Sequence, residues 1–202
     1  MEVNRNNKEY WSFLLAPDEH IDVRLFDFYD HVPRDLVMNP IGRAAARRAL
    51  NWMGTPSHTC PQLLFLKRPE FLQCVEAIGS ALVLPTLLKS ESREAVSRFT
   101  LMVSPFAREA SFAAVRNEVV KAPLKALSSE MLSPVFLPKT VYGLGAATLL
   151  ATIEGSSDAF SSKINAKLKG TGGQRFTIDS TVAHRIVQWC DSYYKSEAND
   201  VH

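Results

Sequence analysis

Cysteine is scarce in this sequence, and its few positions form no pattern. Cys60, Cys74 and Cys190 stand far apart. None belongs to a CxxC pair, so neither a disulfide framework nor a cysteine zinc site is expected. Cys74 and Cys190 fall in apolar stripes and read as inert buried thiols. Histidine is equally sparse. His20, His31, His58, His184 and His202 include no HxxxH or HxxH pair, so no helical face offers two imidazoles to a metal. His58 and Cys60 are close in sequence but have no partners beside them. No metal and no cofactor is expected.

Catalytic signatures are missing as well. There is no GxSxG nucleophile elbow and no GxxxxGK[ST] phosphate loop. The glycines of GTGGQRF, Gly170 to Phe176, follow a helical pattern rather than a strand, and no Lys-Ser/Thr comes after them. They read as a flexible turn. GLGAA, Gly143 to Ala147, lacks the third glycine and the preceding strand of a dinucleotide site. The expectation is a protein that is not an enzyme.

Charge bias and long apolar runs are also lacking. The net charge is +2, with 22% charged residues and a pI near 8.4. That balance is mildly basic and falls short of a general nucleic-acid binder. The longest near-apolar runs are Val141 to Ile153, and Ala77 to Leu88 with Pro85 inside. Both are shorter than the roughly 18 residues a membrane span requires. The opening MEVNRNNKEY is polar, and no apolar stretch of a secretory signal follows it. A cytoplasmic chain without direct membrane insertion is expected.

What the sequence has is helical periodicity and 46% hydrophobic residues over 202 positions, enough for one sizeable core. A single helical domain is expected over residues 1–202, with 1–38 less regular and 197–202 a frayed tail. Asn39 suits an N-cap and Pro40 the first helical position, and Gly54 suits the far end of that helix. A second helix is expected from Pro69 to Leu84, where Phe71, Val75, Ile78 and Leu82 recur at helical spacing until Pro85 breaks it. A third covers Ser90 to Ser104. A fourth opens on Pro105, carries Phe106, Ala110, Ala113 and Ala114, and ends by Pro123. Pro134 to Pro138 reads as a loop. Lys139 to Glu154 follows as a helix whose Gly143, Gly145, Ala146 and Ala147 would let another helix approach closely. Shorter helical signals cover Ser157 to Lys169. The last helix starts near Ser180, with Val182, Ile186, Trp189, Cys190 and Tyr193 on one face. No sustained alternation of period two and no internal repeat is present. The class is therefore all-α, with about seven to nine helices and room for a minor β element near the N-terminus.

Two segments stand out from this background. LFDFYDHVP, Leu25 to Pro33, packs aromatics against aspartates and a histidine. In RAAARR, Arg43 and Arg47 lie one turn apart with Arg48 beside them. Core packing and a solvated helix face explain them most simply. Tyr, Phe and Arg are also the residue types enriched at binding hot spots. One functional reading makes the arginine helix a nucleic-acid-binding regulator, which requires steeply salt-dependent DNA binding. An enzyme of an unrecognised helical family would instead need polar groups converging in a pocket.

The order of these motifs resembles the SctK/OrgA (YscK-like) accessory proteins of bacterial type III secretion systems. FDFYDHVP supplies Phe26, Asp27, Tyr29, His31 and Pro33 of an aromatic motif, with Phe28 in place of a proline and Val32 inserted. A Pro-x-x-Arg-Ala-Ala-Ala helix start follows at Pro40, Arg43, Ala44, Ala45 and Ala46. PQLLFLKRPEFLQCVEAIGSALVLP is similar to the family's Leu-Pro-terminated helix, with Gly79, Leu84 and Pro85 in place. YGLGAATLLATIEGSSDAFSSKINAKL is similar to its late helix pair. The likeness covers most of Leu25 to Leu168. It implies a non-enzymatic adaptor at the base of an injectisome. The adaptor would link the cytosolic domain of the SctD-type inner-membrane ring to the SctQ-type pod protein. Through that cage it would act indirectly with the SctL-type stator and SctN-type ATPase, with no nucleic acid as partner. Two contact surfaces are then expected, one at Phe26, Asp27, Tyr29, His31 and Pro33 and one at Arg43, Arg47 and Arg48.

Overall fold

Short polar side chains set where the helices begin. The computed structural model describes residues 61–121, 124, 127–168 and 176–200, together with Ser12 and Pro40. From residue 61 onward the described residues form a 3-10 turn at Gln62–Phe65 and six α-helices. These are α1 (Arg68–Lys89), α2 (Arg93–Met102), α3 (Pro105–Arg116), α4 (Leu137–Thr152), α5 (Asp158–Leu168) and α6 (Ser180–Asp200). No strand occurs among the described residues. The all-α class holds. The expected β element and the helix from Asn39 to Gly54 lie outside the described residues, apart from Pro40, which is helical and exposed.

Three of these starts have a capping side chain. The Ser92 hydroxyl accepts from Ala95 N at 3.2 Å and caps α2. The Ser104 hydroxyl accepts from Ala107 N at 3.3 Å and caps α3, with Pro105 at the first helical position where no N–H is needed. At α6 the Asp179 carboxylate accepts from Thr181 N and Val182 N at 3.0 and 3.1 Å. The ends are equally local. Glu118 adopts φ 52° just past α3, the left-handed turn that stops a helix, and Gly155 does so after α4 at φ 84°.

Two expected boundaries are corrected. Pro85 does not end α1, which continues to Lys89. The lost hydrogen bond to the Ala81 carbonyl is tolerated because Leu84 and Leu87 on either side are both buried. The true stop is Ser90, whose N–H donates to Thr86 O and whose hydroxyl donates to Leu87 O at 2.6 Å. α3 ends at Arg116 rather than near Pro123. α6 runs to Asp200.

The chain divides into two compact units, Met1–Phe71 with Ile153–Gly170, and Leu72–Thr152 with Thr171–His202. In the second unit, α1 is buried on every side from Cys74 to Leu84. Its composition matches, since it is apolar all round rather than along one stripe. α4 crosses it where Gly79 meets Val141 and Gly145 meets Val75. α6 packs on α4, and its Cys190 reaches Cys74 of α1. α3 lies against α6. Among the described residues only α1 is long and apolar enough to cross a membrane. Its most apolar window is 72% buried by the rest of the protein, which marks it as a core helix.

The first unit is built around α5. Phe160 packs edge-on against Phe65 of the 3-10 turn, with ring centres 6.4 Å apart. Lys167 is fully buried there. Its ammonium donates to the Leu64 and Leu66 carbonyls at 2.8 and 2.5 Å and sits 4.3 Å above the Phe71 ring. A buried cation survives only where such acceptors replace its water.

Candidate interaction surface

The residues singled out in the sequence as contacts, Phe26, Asp27, Tyr29, His31, Pro33, Arg43, Arg47 and Arg48, all lie outside the described residues. Within the described residues, the side chains with the composition of a contact surface are on α3 and α6.

Helical spacing puts Trp189 and Tyr193 one turn apart on α6. Their rings stack at 5.3 Å with planes 26° apart. Tyr194 follows directly. Phe106, the second residue of α3, lies 5.9 Å from both tyrosine rings, tilted against Tyr193 and edge-on to Tyr194. All four side chains are half-buried. Each such ring pair contributes about 0.5–1.5 kcal/mol beyond the area it buries, so the cluster also fastens α3 to α6.

Charge surrounds the rings. Burial and the nearby Glu197 and Glu109 carboxylates push the Tyr193 phenol above its ordinary range, with Arg116 opposing them. The phenol therefore stays protonated, with Glu197 as its hydrogen-bond partner. Lys195 pairs with Asp191 at 2.6 Å on the same helix, and Arg108 lies 3.8 Å from Glu109. Half-exposed Trp, Tyr and Phe with charges at the edge is the composition of a protein-binding hot spot.

The sequence placed Trp189, Cys190 and Tyr193 on one face of the last helix. The structure divides that face. Ile186 and Cys190 point into the core, whereas Trp189 and Tyr193 sit at its edge. Sequence reasoning missed that Phe106 joins them, because a contact between distant helices leaves no local signal.

Burial lowers the Lys163 ammonium to about 8, and like Lys167 it is closed to solvent. His184 is exposed on α6, and its Nδ1 lies 2.8 Å from the Ser180 carbonyl. Among the described residues no group of three or more His, Cys, Asp or Glu side chains could hold a metal ion. In comparisons with known proteins, no family model, no curated protein and no solved structure matches this chain.

Proposed function

We propose that this chain is a non-enzymatic cytoplasmic adaptor of a bacterial type III secretion system, linking the inner-membrane ring to the pod protein of the sorting platform. The observation that carries the reading is the order of motifs along the chain. An aromatic FDFYDHVP segment is followed by the PIGRAAA motif, the apolar segment that carries Leu84-Pro85 and the late small-residue segment. An all-α architecture supports it, since a connector needs stiff elements more than a pocket. The half-exposed ring cluster on α3 and α6 supports it in a second way, because an adaptor must offer protein-binding surface.

Co-purification of the full chain with an SctQ-type pod protein and with an SctD-type ring cytosolic domain tests the proposal. Recovery of both is expected. Recovery of neither overturns it. Charge reversal at Arg43, Arg47 and Arg48 together should weaken one partner in a salt-sensitive way. If both affinities stay unchanged, the arginine helix is not a contact.

A further inference from the structure

Cys74 of α1 and Cys190 of α6 are distant in sequence, and both are fully buried. The fold brings them together. The Cys190 thiol donates to the Cys74 carbonyl at 3.9 Å, which sets its sulfur against the Cys74 backbone. Two cysteines that adjoin across a helix interface are within reach of a disulfide once their side chains turn to face each other. We infer that Cys74 and Cys190 are a disulfide-competent pair, and that two-electron oxidation ties α1 covalently to α6.

The step balances with a diazene or peroxide oxidant. The two thiols give up two protons and two electrons and the S–S bond forms. The oxidant takes them up as the hydrazine or as water. Reaction requires a thiolate and access to it. The neighbouring Cys74, and then burial, hold the Cys190 thiol protonated. The native state is therefore slow to react, and oxidation follows transient opening of α6. Once formed, the cross-link closes a long loop and restrains that opening.

The test uses the full chain carrying Cys60→Ser, so that Cys74 and Cys190 are its remaining thiols. Diamide is applied in buffer and again in mild urea, followed by dilution. The expected product is monomeric and helical, lighter by the two hydrogens, with both thiols lost. A non-reducing peptide map should join the Cys74 and Cys190 peptides. Formation should be faster in mild urea, and dithiothreitol should restore the starting thermal midpoint from a raised one. Cys190→Ala should give no monomeric cross-link. Thiols that stay free in both conditions, products that are only intermolecular, or a cross-linked chain that has lost its helical circular dichroism would each overturn the inference.

Discussion

Gly79 of α1 and Gly145 of α4 lie face to face, so that a β-carbon on Gly79 would stand 3.2 Å from the Gly145 nitrogen. The same β-carbon would run into the Val141 carbonyl, and one on Gly145 would run into the Val75 carbonyl. Val75 therefore opposes Gly145 while Gly79 opposes Val141. Matching positions one turn apart in reverse order makes the crossing antiparallel. Two backbones meet here, with the Val75 side chain beside Gly145.

Alanine at either glycine should therefore destabilise the protein, against its higher helix propensity. That propensity favours Ala by about 1 kcal/mol, whereas overpacking costs about 1–3 kcal/mol or more. Here the obstacle is a main-chain carbonyl, which cannot rotate aside. A net loss of about 2 kcal/mol is expected for Gly79→Ala and for Gly145→Ala in urea unfolding followed by circular dichroism. A neutral or stabilising result would show that the helices separate freely.

Pro85 offers the opposite experiment. It sits inside α1, lacks an N–H for the Ala81 carbonyl, and is only half-buried. Pro85→Ala restores that bond and removes the ring. A gain of about 1–3 kcal/mol is expected, read as a higher urea midpoint with an unchanged slope. Loss of stability instead would mean that the proline ring fills space no methyl can.

The contrast between these positions shows what the sequence could and could not convey. Among the described residues helix existence was legible, because the apolar recurrence along α1 and α6 and the Pro105 start of α3 are local signals. The small residues of α4 correctly announced a close approach, but nothing local identified Gly79 as the opposite half. Pro85 misled for a related reason. Its local penalty was visible, whereas the burial of Leu84 and Leu87 that outweighs it is tertiary. The stripe of Phe71, Val75, Ile78 and Leu82 was real, yet it hid that Ala77, Ser80 and Ala81 are buried too. Small side chains add little to a periodicity and much to a tight crossing. The ring cluster was half legible. Trp189 and Tyr193 share a helix face, but Phe106 reaches them only through the fold.

Lys167 should be indispensable to its unit. Lys167→Met keeps most of the stem and removes the ammonium, leaving the Leu64 and Leu66 carbonyls without that donor. Hydrogen bonds to a charged donor contribute about 1.5–3 kcal/mol, and a stranded buried carbonyl costs a comparable amount. A loss of about 2–4 kcal/mol is expected in thermal or urea unfolding. If Lys167→Met matches the parent, the ammonium is not what holds the 3-10 turn to α5.

Lys163 predicts how stability changes with pH. It is fully buried, and burial lowers its pKa from 10.5 to about 8. In the unfolded chain the side chain titrates near the ordinary value. Below the folded pKa both states hold the proton, and the folded state bears the whole burial cost. As pH rises through that value the folded protein releases the proton while the unfolded chain keeps it. The unfolded state then binds more protons, so stability rises with pH across this window. The limiting slope for one proton is about 1.4 kcal/mol per pH unit. Lys163→Met has no proton to release there. Subtracting its unfolding free energies from those of the parent cancels the other titrating groups. The difference should shift in the parent's favour by about 1–2 kcal/mol between about pH 7.5 and pH 9.5. Parallel curves over that range would mean that Lys163 titrates as an ordinary solvated lysine, and that its ammonium carries no burial cost in the folded state.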